Sequence, residues 1–220
     1  MACSFPSRIL LFCLAAATFF LNGCGGNSSG ARFYTLTSLG FPEGAGQAAA
    51  DDQTVIVRIG PVQIPDYLDR PQIVTRTAAN ELSLGDFDLW GGSLGTDVER
   101  VLVENLSVLL AKDRISVAGW KSRYSTMGSV PVWLDRLDVV PGDKIILKAR
   151  WGIIGNDGRA LEPPRDVTLS RPVNGSGYGD VVAAMSDALV SLSRDIAAGI
   201  KATVTKRDAG RESRVAPGNG

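Results

Sequence analysis

An uncharged apolar run near the amino terminus separates the first residues from the part of the chain that can fold as a domain. Residues 9–21 (ILLFCLAAATFFL) contain no charged side chain, and Arg8 precedes them. A helix that spans a bilayer needs about 20 apolar residues, so this run is short for that purpose. A positive start, a short apolar centre and small residues after it are typical of a secretory signal peptide. The folded domain must therefore be built from the residues that follow.

A single cysteine closes this segment, and two processing routes compete there. Ordinary signal peptidase requires small residues one and three positions before the cut, but the alanines at 15–17 lie inside the apolar run and position 21 is Leu. Leu21-Asn22-Gly23-Cys24 instead resembles the lipobox of bacterial lipoproteins, with Asn22 as a mild departure. The alternative is that Cys24 is an incidental thiol at the end of a signal or anchor helix.

The lipobox resemblance implies a lipid anchor on Cys24. In that family the thiol receives a diacylglycerol and a dedicated peptidase cuts just before the cysteine, which leaves residues 1–23 as the signal peptide. Each buried methylene of an acyl chain such as palmitate contributes about 0.8 kcal/mol, so the several chains of a lipoprotein hold it at the membrane. Gly25 stands where Asp would favour the inner membrane, and it implies the outer membrane instead.

Composition limits the functions that are open to the mature chain. Removing residues 1–23 from 220 leaves 197 residues, enough for one domain with a sizeable core. The formal net charge of +0 offers no basic excess for phosphates, so nucleic acid is not an expected partner. The chain has no histidine, and with Cys3 and Cys13 removed and Cys24 acylated it has no free thiol and no internal disulfide. Catalysis that relies on histidine or on a thiolate is thereby excluded.

Hydrophobic periodicity predicts one α/β domain of the α+β type over residues 32–203. Short segments rich in β-branched and aromatic residues alternate with turns, which indicates a mostly antiparallel or mixed sheet. The predicted strands are 32–36, 54–65, 72–76, 81–84, 86–90, 115–117, 130–140, 144–154 and 165–173. Residues 24–31 are predicted to be the acylated cysteine with a flexible linker, and residues 204–220 a disordered tail.

Two long helices are predicted to pack on this sheet. Thr96 and Glu99 are interpreted as a capping box, and apolar residues at helical spacing continue from Val98 to about Lys112. A second apolar stripe predicts a helix over about 180–203.

Two patterns point to chemistry, and each also has a plainer interpretation. Residues 175–179 (GSGYG) lie between a strand and a helix, as phosphate-binding loops do, but Asp180 stands where the dinucleotide motif has its third glycine. A flexible start of the helix is the preferred interpretation. Four carboxylates are candidates for acid/base chemistry, namely Asp86, Asp88, Asp135 and Asp138. Asp86 and Asp88 are expected to share one strand face and to point to solvent, so no pair across a cleft is predicted.

The segment 66–72 (DYLDRPQ) stands out from an ordinary loop. Pro71 restricts Arg70 to an extended conformation, so the chain is expected to leave a turn there and to begin a strand. Asp69 and Arg70 are able to pair and cap that turn. A structural role is one interpretation of the segment, and direct contact with a partner is the other. The candidate structural or partner residues are Tyr67, Leu68, Asp69, Arg70, Pro71, Gln72 and Trp90.

Several segments of the chain follow one protein family in order. They are 55–76 (VIVRIGPVQIPDYLDRPQIVTR), Trp90 with Leu94, 98–110 (VERVLVENLSVLL) and 181–197 (VVAAMSDALVSLSRDIA). From about Arg32 to Ile200 the chain resembles the ABC-type transport auxiliary lipoproteins, and 67–74 (YLDRPQIV) is the most distinctive segment. The two glycines at 91–92 and the tail after Lys206 depart from that family.

The resemblance implies an outer-membrane lipoprotein that faces the periplasm. Relatives work with MCE-domain proteins and ABC-type permease subunits that move lipid or another hydrophobic compound, so the resemblance implies a docking subunit, with a homo-oligomeric ring as the form known in the family. It implies no enzyme, cofactor or metal. Two alternatives stay open: a periplasmic lipid-binding shuttle or chaperone, which a wide apolar cavity would favour, and a hydrolase with two convergent carboxylates of raised pKa.

Overall fold

A computed structural model of the protein describes residues 30–40 and 54–215, with side chains through residue 210. The predicted signal peptide, the predicted acylation site Cys24 and most of the predicted linker lie outside the described residues. Most of the loop predicted between the first two strands and the end of the predicted tail, 216–220, lie outside them too.

The described residues form eight strands, two long helices and one short 3-10 turn. The strands are β1 (Arg32–Tyr34), β2 (Val55–Gln63), β3 (Gln72–Ala78), β4 (Glu81–Trp90), β5 (Ile115–Gly119), β6 (Gly128–Val140), β7 (Lys144–Gly155) and β8 (Ala160–Pro172). The helices are α1 (Leu94–Leu110) and α2 (Tyr178–Val215), and the 3-10 turn is Asp66–Leu68. This element order confirms the predicted α+β class.

The strands form two mixed sheets, with the orders β1-β4-β3 and β5-β2-β6-β7-β8. β1 runs parallel to β4, and β2 runs parallel to both β5 and β6. The other neighbours, β3 with β4, β6 with β7 and β7 with β8, are antiparallel. Parallel neighbours need a long crossover connection, and α1 lies in the connection from β2 to β5.

The core lies between the five-stranded sheet and the two helices. Alternate residues of β7 are buried on the helix side, as a strand with one covered face requires, and they are Ile145, Leu147, Ala149, Trp151 and Ile153. Trp151 packs against α2 at Gly199, where a Cβ atom would overlap the indole ring. The indole Nε1 of Trp151 donates a hydrogen bond of 2.8 Å to Oδ2 of Asp195. The close approach of sheet and helix at this point therefore depends on a residue without a side chain.

The chain that leaves β1 is tied to both helices by polar side chains. The backbone N–H of Leu36 donates to Asp97 of α1 (2.7 Å), and that of Thr37 donates to the Ser186 hydroxyl of α2 (3.0 Å). The backbone N–H of Leu39 donates to the amide oxygen of Asn105 (2.7 Å). Because a buried amide without a partner is costly, these bonds allow an irregular segment to run beside the core.

The start of α1 corrects the predicted capping box. The helix begins at Leu94 after Ser93, and the backbone N–H of Asp97 donates to the Ser93 carbonyl (3.0 Å). Glu99 does not cap this end of the helix, because its Oε1 accepts a hydrogen bond of 2.9 Å from the backbone N–H of Trp120. The Glu99 carboxylate therefore makes a tertiary contact with Trp120 and does not form the helix cap that its spacing from Thr96 predicted.

The segments 81–84 and 86–90, predicted as separate strands, form one continuous strand, β4. The register between β4 and β3 shifts in the middle of β4. Gln72 pairs with Leu89 and Val74 pairs with Leu84, so β4 has more residues than β3 between these two pairs. Gly85 lies at this irregularity, and a Cβ atom there would come within 2.8 Å of the Asp88 carbonyl oxygen. Gly85 therefore allows the strand to continue through the irregularity.

The predicted disordered tail from residue 204 is wrong as far as Val215, because α2 continues to that residue. Val204 is buried at 9% exposure, and the Lys206 ammonium lies 2.6 Å from the carboxylate of Glu162 on β8. The polar composition of this stretch indicated disorder, but contacts with the sheet hold its first turns in helical form. Neither helix of the described part of the chain is long and apolar enough to cross a membrane.

Candidate functional site

The residues 66–72, here called the motif turn, connect β2 to β3. The 3-10 turn is closed by hydrogen bonds from the Leu68 N–H to the Pro65 carbonyl (2.9 Å) and from the Asp69 N–H to the Asp66 carbonyl (3.2 Å). The Arg70 N–H then donates to the Leu68 carbonyl (2.9 Å). β3 begins directly after Pro71, as the conformational restriction of the preceding residue predicts.

Part of the motif turn is anchored in the interior. Leu68 is 2% exposed and belongs to the core, and Trp90 at the end of β4 is 5% exposed. The backbone N–H of Trp90 donates a hydrogen bond of 2.7 Å to the Pro71 carbonyl. The motif turn and Trp90, which the sequence analysis named as separate candidates, are therefore in direct contact, because β4 runs back past the start of β3.

Tyr67 reaches a buried carboxylate that accepts hydrogen bonds from three side chains. Its hydroxyl donates to Oδ1 of Asp138 on β6 (2.7 Å), while Nε of Arg76 on β3 donates to Oδ2 (2.7 Å). Nε of Arg136 also donates to Oδ2 of Asp138, and Nη1 of Arg76 donates to the Ala79 carbonyl (2.9 Å). Asp138 is 4% exposed, and the two arginines balance the charge of this buried carboxylate. The cluster joins the motif turn, the three-stranded sheet and the five-stranded sheet.

The electrostatics of this cluster favour one protonation state. Burial alone would raise the pKa of Asp138, but hydrogen bonds from Arg76, Tyr67 and Arg136 outweigh burial and lower the pKa below its usual value. Burial, together with the hydrogen bond to Asp138, raises the pKa of Tyr67 to about 12. The aspartate is therefore a fixed anion and the tyrosine a fixed donor at any physiological pH.

The other side of the motif turn faces solvent. Asp66, Asp69 and Arg70 are exposed. Within the described residues no ion pair joins Asp69 to Arg70, although the two side chains are neighbours in sequence. Backbone hydrogen bonds close the turn instead, and both side chains are left available to a partner.

An open groove of about 420 Å³ lies between the motif turn and the start of α1. Its lining residues are Val62, Gln63, Ile64, Asp66, Asp69, Ser93, Gly95, Thr96 and Glu99. Three of them carry carboxylates and none carries a positive charge, so the groove is acidic.

Asp88 forms a second buried charge cluster, which corrects the expectation that it points to solvent with Asp86. Asp88 is 5% exposed, while Asp86 is exposed, because the irregularity in β4 turns the two side chains to different sides. Nη2 of Arg32 donates to Asp88 (3.0 Å) and the Tyr34 hydroxyl donates to it as well (2.8 Å). Burial would raise the pKa of Asp88, but these bonds lower it.

The four candidate carboxylates do not converge on one place. Asp86 and Asp135 are exposed, and the two buried residues, Asp88 and Asp138, lie in separate clusters with different arginines. Both buried groups have a lowered pKa, whereas a general acid needs a raised one. Among the described residues, no group of three or more aspartate, glutamate, histidine or cysteine side chains is arranged to hold a metal ion.

The glycine-rich loop 175–179 supports the start of a helix, as the preferred interpretation expected. Gly175 has a φ of +113°, and the Asp180 carboxylate lies over its Cα, where a Cβ atom would collide. Oδ2 of Asp180 accepts a hydrogen bond of 3.1 Å from the Gly177 N–H. The carboxylate therefore binds the Gly177 amide, a group that a phosphate in this loop would need.

Side chains fill the space between the five-stranded sheet and the helices. Leu102, Leu106, Leu189 and Leu192 from the two helices are 0% exposed. A further cleft of about 390 Å³ lies at the surface between β8 and α2 and is lined partly by Arg171, Asp187 and Arg194. These described clefts lie at the surface, and the leucines named above meet in the interior instead.

Sequence reasoning missed the partners of the two buried aspartates. No local signal in the sequence marked these partners, which are Arg32, Tyr34, Arg76 and Arg136. For the three arginines the reason is that a charged residue on a strand is usually solvent-exposed. The one available signal was position: in β6, Asp138 lies between Leu137 and Val139, and all three are buried. A strand buried on both faces needs a partner for such a charge.

Comparisons with known proteins agree with this geometry. The family model described as ABC-type transport auxiliary lipoprotein component matches residues 34–197. Intermembrane transport lipoprotein PqiC of Escherichia coli (strain K12) is 23% identical over 192 residues, covering 84% of this chain and 94% of its own length. PqiC of Shigella flexneri matches to the same extent.

Two solved structures share the fold. A crystal structure of an uncharacterized protein has a TM-score of 0.64 at 19% identity and covers 78% of this chain and 99% of its own. A crystal structure of a Xanthomonas campestris protein has a TM-score of 0.63 at 17% identity and covers 81% of this chain and 99% of its own. At these identities the likeness concerns the fold alone.

The family match includes the motif turn, Trp90, α1 and α2 as far as Ala197, and it confirms the resemblance drawn from the residues. The chain belongs to the ABC-type transport auxiliary lipoprotein component family.

Proposed function

We propose that this chain is an outer-membrane-anchored periplasmic lipoprotein that acts as a docking subunit of an ABC/MCE-type system transporting lipid or another hydrophobic compound. Family membership supports the auxiliary role in transport. The lipobox at Leu21–Cys24 supports the anchor, and Gly25 supports the outer membrane. PqiC, the relative from Escherichia coli, carries the name intermembrane transport lipoprotein.

The observation that carries the proposal is the two-sided construction of the motif turn. Tyr67 and Leu68 anchor it from beneath, through the Asp138 cluster and the core. Asp66, Asp69 and Arg70 remain exposed on the other side. A rigid loop that presents unpaired charges gives a partner a preorganised surface, because little conformational entropy is lost on binding.

The groove beside the motif turn specifies the chemistry of the partner segment. Asp66, Asp69 and Glu99 make it acidic, so it favours a segment that carries lysine or arginine. In this proposal such a segment belongs to an MCE-domain protein or a permease subunit, and several copies of the chain arranged in a ring would present several grooves to it.

The filled core favours docking over the alternative of a lipid-binding shuttle. A shuttle needs an apolar cavity for its cargo, but leucines of both helices occupy the space between the helices and the sheet. A hydrolase is disfavoured for a different reason. The buried carboxylates Asp88 and Asp138 are both paired with arginine and have a lowered pKa, so neither is poised to deliver a proton.

Co-purification from native envelopes tests the proposal. Wild-type protein, solubilised with mild detergent after crosslinking, is expected to recover an MCE-domain protein and a permease subunit, identified by mass spectrometry. The variant Asp66→Asn/Asp69→Asn is expected to recover them at least about tenfold less, since loss of two interfacial charges typically costs more than about 1.4 kcal/mol.

A matched variant controls for the loss of charge itself. Asp143 and Asp157 are carboxylates on other turns, with 57% and 61% side-chain exposure, and Asp143→Asn/Asp157→Asn is expected to behave like wild type. Failure of wild-type protein to recover any such subunit would contradict the proposed function. Full recovery by the Asp66/Asp69 variant would contradict only the assignment of the groove.

A further inference from the structure

An apolar patch covers the outer face of the three-stranded sheet. Phe33 on β1 is 67% exposed and Phe87 on β4 is 54% exposed, with Leu82 and Leu84 at 38% and 40%. The described chain buries most of its large apolar side chains, so four exposed ones on two adjacent strands form an unusual surface. We call these four residues the apolar patch.

The strand register brings Phe33 of the patch next to β4. Phe33 is the direct partner of Leu89 in the parallel pairing of β1 with β4, so the two side chains share a face. Phe87 is exposed next to the buried Asp88, which places it on the same side of β4 as Leu89. The opposite face of β4 is turned inward through Asp88 and Trp90, both of which are buried.

The position of β1 in the chain restricts what can meet this patch. Phe33 follows Cys24 by nine residues, a segment whose reach is at most about 32 Å and whose root-mean-square length is about 16 Å. If Cys24 is acylated, as the proposed function requires, the patch is held within a few tens of ångströms of a bilayer. Such tethering raises the effective concentration of the membrane around the patch to the millimolar range.

The geometry points to a direct contact between the apolar patch and the surface of the bilayer, and this inference rests on the proposed function through the acylated cysteine. Phenylalanine and leucine side chains enter the boundary between headgroups and acyl chains favourably. The contact sets the orientation of the domain: the outer face of the three-stranded sheet is turned to the lipid.

The charges around the patch determine which lipid property matters. Glu81 and Asp86 are exposed on β4 beside it, and the adjacent cations Arg32 and Arg76 are paired with Asp88 and Asp138. Anionic headgroups therefore add no attraction, and the contact depends on apolar insertion. Neutral phosphatidylcholine vesicles are a sufficient probe, and high salt is expected to leave the contact unchanged.

Fluorescence quenching in reconstituted vesicles tests the inference. The acylated full mature chain carries no free thiol, so Phe87→Cys provides a single site for an environment-sensitive fluorophore. In phosphatidylcholine vesicles that contain nitroxide-labelled lipid, the emission is expected to fall at least about twofold relative to vesicles without nitroxide. Thr168→Cys, exposed on the edge strand β8, is the matched control and is expected to show little quenching.

A second variant keeps the test independent of the labelled residue. Phe33→Ser in the Phe87→Cys background removes an exposed side chain, so the fold is retained, and the quenching is expected to fall towards that of the control. Equal quenching at positions 87 and 168, or none at either, overturns the inference. The fluorophore at position 87 could instead be shielded from water without being quenched by the nitroxide, and more so at high protein density. That result would show that a second copy of the chain covers the patch, and it would also overturn the inference.

Two outcomes distinguish failure of the lipid anchor from failure of the membrane contact. An unmodified thiol on Cys24 and a protein that does not co-sediment with vesicles would contradict the anchor of the proposed function. An acylated, sedimenting protein with an unquenched probe at position 87 would contradict the membrane contact alone.

Discussion

The hydroxyl of Tyr67 donates a hydrogen bond of 2.7 Å to the carboxylate of Asp138, across 71 residues of sequence. Tyr67 belongs to the motif turn and Asp138 to a central strand of the five-stranded sheet. Since Arg76 of the three-stranded sheet binds the same carboxylate, one buried anion joins three parts of the fold. The proposed docking surface owes its shape to this junction, and its energetics can be measured.

The substitution Tyr67→Phe is expected to destabilise the protein by about 1–2 kcal/mol at neutral pH, because it removes a hydrogen bond to a charged acceptor. Denaturant unfolding with an unchanged slope checks this value. Tyr124→Phe is the control, since Tyr124 is 69% exposed, and a change of less than about 0.5 kcal/mol is expected there. Equal effects of the two substitutions would show that the junction contributes nothing specific.

The substitution Asp138→Asn is expected to cost about 2–3 kcal/mol at pH 7, because Arg76 and Arg136 lose their counter-charge. The pKa of Asp138 is lowered in the folded protein, so its contribution is complete above the ordinary value of 3.8 and is lost as the pH falls below it. The difference in unfolding free energy between wild type and variant should therefore shrink in acid, below about pH 3.8. A difference that is independent of pH would contradict the ion pairing.

Tyr67 predicts a second effect of pH on stability, at the alkaline end. Its pKa is raised from 10.0 to about 12 in the folded protein, so its contribution is complete below pH 10 and is lost as the pH rises through that interval. The difference in unfolding free energy between wild type and Tyr67→Phe should narrow over this range. Chemical denaturation of both proteins at matched alkaline pH values measures it, and a difference that widens would reverse the assigned sign.

The substitution Gly199→Ala is expected to destabilise the protein by about 1–3 kcal/mol, because its methyl group would overlap the Trp151 ring. Helix propensity alone predicts the opposite, a gain of about 1 kcal/mol. Gly210→Ala on the same helix is the control, since nothing lies within 4 Å of the position of its Cβ atom, and a small gain in stability is expected there. Thermal unfolding of both variants decides between packing and propensity.

The substitution Cys24→Ala is expected to abolish incorporation of radiolabelled palmitate and to release the folded domain from membranes. Each acyl chain contributes about 0.8 kcal/mol for every buried methylene, so loss of the chains removes the anchor. Cys13→Ala, in the predicted signal peptide, is the control and should retain the label. Mass spectrometry of the mature amino terminus gives the complementary result, and a chain that starts anywhere but at an acylated Cys24 would contradict the lipobox interpretation.

Much of the fold was predictable because its elements rest on local patterns. Alternation of Leu147, Ala149 and Trp151 with Lys148 and Arg150 indicates that β7 is a strand with one buried face. The apolar stripes of α1 and α2 identify both helices through their helical spacing. The end of the motif turn was also predictable from the sequence, since Pro71 restricts the conformation of the residue before it.

The parts of the prediction that failed depend on residues distant in sequence. The spacing of Thr96 and Glu99 indicated a cap, but Trp120 took the Glu99 carboxylate. The polar stretch after residue 203 indicated disorder, but Glu162 on β8 binds Lys206. In both cases a contact between residues distant in sequence replaced the structure that the local pattern favoured.

The amino-acid sequence alone determined the class of the fold, the order of the elements, the family and the proposed anchor, because each is written in periodicity, composition or a short motif. Only the tertiary structure decided which charges are buried and which surfaces remain open. Asp86 and Asp88 are two residues apart on one strand, yet one is exposed and the other is held inside by Arg32. The physical reason is that burial of a charge requires a partner, and the partner comes from a distant part of the chain.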